Sequence, residues 1–441
     1  MITARLADFV ANTSIDEIPE EAFGAATNAL IDTLGVAIAG STEPVADVAA
    51  AWIEEIGGRP QATVWGRKLS AHAADAAFAN GISAHALDFD DTHPSGRGHM
   101  SASLIPTAVA AGEATGASGR EVLAAYAIGL EIGGVIGRAF GQGHFLRGWH
   151  PTATVGAIAS TAAAARLQRL DADGMARAFG IAASQVGGMA RNFGTMAKPF
   201  HAGKAAMNGI LAAELAAEGF TAAQDMLEPD GPLAAALVQD KEMGLQVFDP
   251  ADPWELPRNT FKPYSCCLLT HPVVDSARKV AAAIKGRDVA EILVQVGTPA
   301  VHLAGKPAPT TGLEGKFSTA YCAALGLTGH GATAADFDDA KVGDPALQAL
   351  VRRTRLIAEE DRDLRSARIE IKFVDGGSLD SATDMALGNP GNPMSWADMR
   401  VKFDALVAPV LGERDCAALF DLLRGFDTGA AKEFVRLVGR A

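Results

Sequence analysis

Long segments rich in alanine and glycine, with apolar residues at helical spacing, constrain the fold of this chain more than any other feature. In the segment EAFGAATNALIDTLGVAIAG, apolar residues recur at spacings of three and four and so form the apolar stripe of a helix. They are Phe23, Ala26, Leu30, Leu34 and Ile38. The same periodicity runs through 103–115, 120–140, 152–167, 172–187 and 202–218. Because small side chains let helix backbones approach closely, we expect a compact multi-helix core over roughly the first 250 residues.

The sequence changes character near residue 250. The segment DPADPWELPRNTFKPYS carries four prolines and is typical of a boundary. Beyond it, alternating apolar residues predict strands in EILVQV and RIEIKF, and Gly376-Gly377 predicts a turn. Helical patterns over 316–327 and 345–358 lie between the two strands.

These patterns predict a mainly α protein with a smaller α+β domain. We place a first helical part at 1–255, an α+β domain at 256–392 and a helical C-terminal return at 393–441. Met399, Phe403 and Leu406 restore helical spacing in the return. The pattern leaves open whether this return rejoins the first helical part or stands apart.

Composition and charge exclude several classes of protein. A net charge of −14 leaves no basic face for nucleic acid or an anionic membrane. Four cysteines in 441 residues cannot form a disulfide framework, which favours a reducing compartment. The acidic beginning MITARLADFVANTSIDEIPEEAF has no apolar core of the signal-peptide type, and no uncharged apolar run indicates a lipid span. We therefore expect a cytoplasmic protein with no nucleic-acid and no membrane partner.

The densest polar cluster lies in ALDFDDTHPSGRGHMSASLIP, between two apolar segments. Its members are Asp88, Asp90, Asp91, Thr92, His93, Arg97 and His99. Capping of a helix end would explain some of them, but two histidines and an arginine beside three carboxylates exceed what a cap requires. The stretch DFDDT also matches the DxDxT motif of Mg²⁺-dependent phosphatases, although the residues before it are helical in character and not those of a buried strand.

Three further clusters follow along the chain. His150 precedes Pro151 and a helical run, which predicts a histidine at a helix N-terminus. Lys198, His201 and Lys204 open another helix and could receive a carboxylate or phosphate, or form a solvated basic turn. The fourth cluster, NTFKPYSCCLLTHP, holds Lys262 and the adjacent pair Cys266 and Cys267.

None of these clusters predicts a metal or a cofactor. The cysteine pair has no partner pair at zinc spacing, and Cys322 and Cys416 are isolated, so a thiolate set for an iron–sulfur cluster is missing. Neither a phosphate-binding P-loop nor a strand–GxGxxG–helix unit is present. We therefore expect no metal and no cofactor.

Taken in order, the four clusters resemble the MmgE/PrpD family over essentially the whole chain. The resemblance rests on DFDDT with a nearby histidine, WHPT, AKPFHAGKAA, FKPYSCC with TH, and EGKFSTAYCAAL. It implies a large all-helical domain made from both termini, a smaller α+β lid domain and a homodimer formed through helices. It also implies a small anionic di- or tricarboxylate as substrate.

Carried over by position, the family pocket falls on Asp88, Thr92, His99, His150, Lys198 and Lys262. Three positions depart from the family pattern. Cys267 and Thr319 stand where the decarboxylase pattern has a histidine and a tyrosine, and His93 stands where dehydratases and decarboxylases have a tryptophan. We add Arg97 and Cys267, from the divergent segments, as substrate-binding candidates.

The chemistry expected of these residues is cofactor-free proton abstraction next to a carboxylate. His99 is the expected base with Asp88 as its orienting partner, and Lys198 and Lys262 stabilise the developing negative charge. His150 serves as a second base or as the acid for a leaving hydroxyl. We expect first a hydro-lyase resembling 2-methylcitrate dehydratase, second an epimerase of a dicarboxylate such as iminodisuccinate, and third a cis-aconitate decarboxylase. A non-catalytic helical binding protein and the phosphatase are the alternatives from other classes.

Overall fold

A computed structural model describes residues 1–238, 254–429 and 435–439. The chain divides into two compact units. The first unit comprises Met1–Thr260 together with Met399–Ala441, and the second comprises Phe261–Asp398. The C-terminal return therefore belongs to the same unit as the first helices.

Helices build the first unit almost entirely. In its N-terminal part these are α1 (Ile2–Asn12), α2 (Glu20–Gly40), α3 (Pro44–Ile56), α4 (Ala73–Ala86), α5 (Ser101–Thr115), α6 (Gly119–Leu146), α7 (Pro151–Leu167), α8 (Ala172–Ala183), α9 (Ala197–Ala217) and α10 (Pro232–Leu237). The two short strands β1 (Ala62–Val64) and β2 (Leu69–Ala71) form an antiparallel hairpin. The five helical segments at 103–115, 120–140, 152–167, 172–187 and 202–218 coincide with α5 to α9, although α8 ends at Ala183 and α9 begins earlier, at Ala197.

Helices α4 and α9 pack with their backbones in contact. A Cβ atom on Gly81 would lie 2.8 Å from Cα of Gly203, and one on Gly203 would lie 2.3 Å from the carbonyl oxygen of Phe78. Real Cβ atoms do not approach other atoms that closely, so only glycine fits at both positions. The small-residue faces expected from the sequence are used here to bring α4 and α9 together.

The second unit is an α+β layer. The sheet runs in the order β4-β3-β5-β6, with β3 (Val289–Gly297) parallel to β4 (Thr354–Glu359) and antiparallel to β5 (Ala367–Phe373), and β5 antiparallel to β6 (Ser378–Thr383). The helices of this unit are α11 (His271–Ile284), α12 (Thr298–Ala304), α13 (Gly312–Lys316), α14 (Thr319–Leu327), α15 (Asp339–Val342) and α16 (Pro345–Arg352). Apolar residues of α11 and α14, such as Val273 and Leu327, share one buried core with Ile292 of β3 and Ile371 of β5.

The helical pattern predicted over 345–358 is wrong in its second half. Helix α16 ends at Arg352, and Thr354–Glu359 forms strand β4 along the edge of β3. Thr354 pairs with Ile292 in this ladder. Pairing with a neighbouring strand overrides local helical periodicity, and periodicity alone cannot show such a long-range partner.

The C-terminal return comprises α17 (Trp396–Leu411), α18 (Glu413–Arg424) and α19 (Val435–Val438). From α17, Lys402 inserts a buried ammonium group that lies 2.5 Å from Asp32 Oδ1 of α2 and donates to the carbonyl oxygen of Phe89 at 2.9 Å. The last helices therefore hold the backbone of the 88–93 segment in place.

Two helices, α2 and α6, are long and apolar enough to cross a membrane by composition alone. In each, most of the apolar window is buried within the chain, 78% in α2 and 94% in α6. Core helices of globular domains have this same character.

The Lys402–Asp32 pair gives a stability prediction. Lys402→Met leaves a carboxylate buried without its cation, so the free energy of unfolding should fall by about 3–5 kcal/mol in urea titrations followed by circular dichroism. The matched control is Lys372→Met, which breaks the more exposed pair with Glu291 at 3.0 Å and should cost no more than about 1 kcal/mol. Equal losses in the two variants would contradict a structural role for Lys402.

Candidate active site

The site is built at the end of α4. His85 occupies the last turn of this helix, Leu87 caps it, and Asp88 follows with a φ of 54°. This left-handed position after a helix is usually filled by glycine, and aspartate tolerates it at a modest cost. Because a helix precedes DFDDT, the motif lacks the buried strand that the phosphatase chemistry needs.

A buried carboxylate joins two histidines at this point. His85 Nδ1 lies 3.1 and 2.9 Å from the two oxygens of Asp90, and both side chains are fully buried. His99 Nδ1 approaches Asp90 Oδ2 from another direction at 3.0 Å, although its geometry falls short of a regular hydrogen bond. The imidazoles of His85 and His99 therefore both contact the same carboxylate, Asp90.

The charge states of this group follow from its surroundings. Burial alone would raise the pKa of Asp90, but the charges of His85 and His99 and the hydrogen bond with His85 hold it well below its ordinary value. Burial lowers the pKa of His85 to about 4, although Asp90 acts in the opposite direction. At neutral pH the group therefore contains an ionised Asp90 and a neutral His85.

The second nitrogen of His99 faces a different carboxylate. Nε2 lies 3.6 Å from Asp88 Oδ1, and that same oxygen lies 2.7 Å from the ammonium group of Lys198 on α9. The sequence predicts Asp88 as the partner that orients His99, but the carboxylate at Nδ1 is Asp90. Asp88 instead lies beside Nε2, the other nitrogen of His99, and pairs with Lys198.

Two more histidines adjoin the group. His150 precedes Pro151 at the start of α7, as predicted, and its Nδ1 lies 3.0 Å from Nδ1 of His201 on α9. One of these nitrogens must donate and the other accept, so the two rings are opposite tautomers. Burial lowers the pKa of His150 very far, and the neighbouring His85 and His99 lower it further, so this imidazole is neutral.

His93 takes no part in this group. Gly96 donates its N–H to His93 Nδ1 at 3.0 Å, so Nε2 carries the proton and donates to the carbonyl oxygen of Glu255 at 3.0 Å. Burial lowers the pKa of His93 to about 3. Both of its nitrogens are thus used in holding the 93–98 loop, which is a structural role.

Neighbouring polar groups fix the rest of the segment. Buried Asp91 accepts from Ser101 Oγ at 2.5 Å and from Asn259 Nδ2 at 2.5 Å, and Ser101 also contacts Tyr126 at 2.7 Å. Burial raises the pKa of Asp91 well above its ordinary value, and the charge of Asp32 adds to the effect. These contacts anchor the backbone that carries Asp90.

The other predicted residues lie in different settings. Thr92 is half-buried, with its backbone paired to Thr260, and Arg97 is exposed with a φ of 55° and forms no ion pair among the described residues. Lys262 and Cys267 belong to the second unit. There Lys262 is buried, and Cys267 is half-buried with its N–H donating to the carbonyl oxygen of Lys316.

Spacing alone would allow a metal ion at this site. One donor atom from each of His85, Asp88, Asp90 and His99 lies within 4.8 Å of the others. In the described structure, Lys198 supplies a cation to Asp88 at 2.7 Å, and both Nδ1 atoms are turned towards Asp90.

Sequence reasoning missed His85, and it did not select Asp90 or His201. A usable signal was present for His85, since a histidine on an otherwise apolar helix must find a partner when buried. Asp90 stood inside the recognised cluster, but spacing could not show which of three carboxylates points inwards. The pairing of His201 with His150 depends on the packing of α9 against α7.

Comparison with known proteins identifies the family. Residues 4–246 match the MmgE/PrpD N-terminal domain, and residues 264–424 match the MmgE/PrpD C-terminal domain. The chain belongs to the MmgE/PrpD family. Its relatives include the cis-aconitate decarboxylases of Homo sapiens and Mus musculus, each 26% identical, and that of Aspergillus terreus, 27% identical. These matches cover 97%, 96% and 97% of this chain and 92%, 93% and 93% of the relatives, respectively.

Proposed function

We propose that this MmgE/PrpD protein is a metal-independent enzyme that removes a proton from the carbon next to a carboxylate of a small di- or tricarboxylate. The observation that carries the proposal is the imidazole of His99, with Nδ1 3.0 Å from buried Asp90 and Nε2 beside Asp88 and Lys198. Family membership and relatives that act on a tricarboxylate support a carboxylate as substrate.

His99 has the arrangement that a general base needs. An ionised carboxylate only accepts hydrogen bonds, so Asp90 favours the tautomer of His99 with its proton on Nδ1. Nε2 then carries the lone pair and lies 3.6 Å from Asp88 Oδ1, the oxygen that Lys198 contacts at 2.7 Å. A base held in this way typically contributes about 10²–10⁴-fold to the rate of proton transfer.

Lys198 provides the positive charge that stabilises the product of proton loss. Loss of the proton pushes negative charge onto the adjacent carboxylate, and an ammonium group at that point stabilises the charge as it develops. Lys198 is only 15% exposed, so water screens it weakly. From the family resemblance we further infer that Lys262, a buried lysine of the second unit, contributes to turnover.

A hydro-lyase is our first assignment, with a substrate resembling 2-methylcitrate. His99 accepts the proton from carbon, a double bond forms, and the protonated His99 passes that proton to the hydroxyl group, which leaves the neighbouring carbon as water. His150 is neutral and lies at the edge of the histidine group, where it can donate a hydrogen bond to the leaving oxygen.

An epimerase is the second candidate, and the neutral state of His150 favours it. His99 and His150 both lie against the ring of His85, with centroid distances of 4.5 and 5.8 Å from it. Inversion at a single carbon needs one unprotonated imidazole to take the proton from one face and a protonated imidazole to return a proton to the other; neutral His150 can take the first role and His99 the second. Decarboxylation, the activity of the relatives, is our third candidate because Cys267 and Thr319 depart from the decarboxylase pattern.

One experiment distinguishes the three reactions. The protein is dialysed against EDTA and incubated in D₂O with candidate polycarboxylates, and products are followed by NMR. New vinyl signals with no loss of carbon indicate dehydration, deuterium at an inverted or retained stereocentre indicates epimerisation, and release of CO₂ indicates decarboxylation. We expect turnover in EDTA; complete loss of turnover that one divalent ion restores would refute metal independence.

Two histidine variants test the base. His99→Gln should lose at least about a hundredfold in kcat, with a much smaller change in KM, because it removes the proton acceptor. His93→Gln is the control and should lose far less, since His93 only holds a loop. An inactive His93→Gln beside an active His99→Gln would reverse the two roles.

We also propose that the protein is a homodimer. Large apolar side chains of α3 and of the start of α9 are exposed, among them Trp52 at 47% and Phe200 at 41%. Exposed apolar patches of this kind mark association surfaces. Light scattering should give twice the 45.5 kDa of the chain, and a mass of one chain would refute the proposal.

A further inference from the structure

The proposed reaction gives no task to two of the clustered histidines, His85 and His201, and of these two His85 is the one in contact with Asp90. It lies on the last turn of α4 with 1% of its surface exposed, so substrate cannot reach it. Its ring nevertheless contacts three parts of the site. Nδ1 touches both oxygens of Asp90, and the ring lies against those of His99 and His150.

The hydrogen bonding of His85 fixes its protonation. Because ionised Asp90 only accepts, Nδ1 of His85 must carry a proton. Nε2 is buried and has no hydrogen-bond partner. A proton on Nε2 would leave a buried N–H group without an acceptor, which costs free energy. Nε2 is therefore unprotonated, and the ring is neutral.

We propose that His85 is a positioning residue that shares the Asp90 carboxylate with His99, so that His99 meets only part of its negative charge. The inference rests on the proposed function, in which His99 is the base. The effect is electrostatic, since a carboxylate that already accepts a hydrogen bond attracts a second proton less strongly. In the absence of His85, the whole charge of Asp90 would stabilise a protonated His99.

Other charged groups face this arrangement from each neighbouring element. Asp88 follows α4, Lys198 lies on α9, and the neutral His150 begins α7. Asp91 is adjacent in sequence, and burial and the charge of nearby Asp32 raise its pKa. Substitution of His85 removes none of these groups, so a change in pH dependence would report on the shared carboxylate.

Two variants separate hydrogen bonding from packing. His85→Phe keeps a ring against His99 and His150 but removes the donor to Asp90. His85→Asn loses the ring but keeps an N–H near the former position of Nδ1. In His85→Phe the acid limb of the kcat/KM profile should move to higher pH by about 1 unit, because the whole charge of Asp90 then acts on His99.

The other variants define the control. His85→Asn should keep the acid limb within a few tenths of a unit of wild type. His144→Asn, in another buried histidine of the same unit, should do the same. The proposal is overturned if folded His85→Phe keeps the wild-type profile, or if His85→Asn shifts as His85→Phe does.

A measurement on the unmodified protein requires neither a folded variant nor an activity assay. Nitrogen-15 NMR of histidine-labelled protein at pH 7 should show His85 as the neutral tautomer protonated on Nδ1. A tautomer protonated on Nε2, or a charged ring, would overturn the proposal. This result is independent of turnover, so it is distinguishable from failure of the base assignment, which an active His99→Gln would reveal.

Discussion

The contact between the backbones of α4 and α9 is the constraint on which the site depends. It occurs at Gly81 and Gly203, where any Cβ atom would collide with the opposite helix. One turn beyond Gly81, α4 presents His85 and then Asp88. The first turn of α9 presents Lys198, which reaches Asp88 at 2.7 Å. A lysine and a carboxylate from segments more than a hundred residues apart meet because two helices lack side chains at one point.

The second requirement is a charge buried where water cannot reach it. Asp90 is fully buried, and such a carboxylate is tolerated only when it is paired and hydrogen-bonded. His85 forms a hydrogen bond with it, and Nδ1 of His99 lies 3.0 Å from it. The backbone on either side is held by Lys402 at Phe89 and by the Asp91–Ser101–Asn259 contacts. This anchoring keeps Asp90 in place between His85 and His99, and the left-handed backbone at Asp88 turns that side chain towards Lys198.

Much of this could be predicted from the sequence, and the failures have physical causes. Periodicity located the main helices because apolar residues recur in them at spacings of three and four, and strands β3 and β5 alternate clearly. Strand β4 was missed because its identity depends on pairing with β3. Within the site, chemistry-bearing clusters were visible as dense polar segments between apolar ones. Whether Asp90 or Asp88 contacts Nδ1 of His99 depends on which of the two side chains points inwards from the turn after α4. Only the three-dimensional structure shows this direction.

The central claim is that Asp90 holds His99 as an unprotonated base at Nε2. The most direct test is the kcat of Asp90→Asn on the polycarboxylate that the protein converts. An asparagine can present its amide N–H to Nδ1 and so favour the wrong tautomer of His99. The account predicts a fall in kcat of about 10²–10⁴-fold with KM little changed. A kcat close to that of the unmodified protein would contradict it.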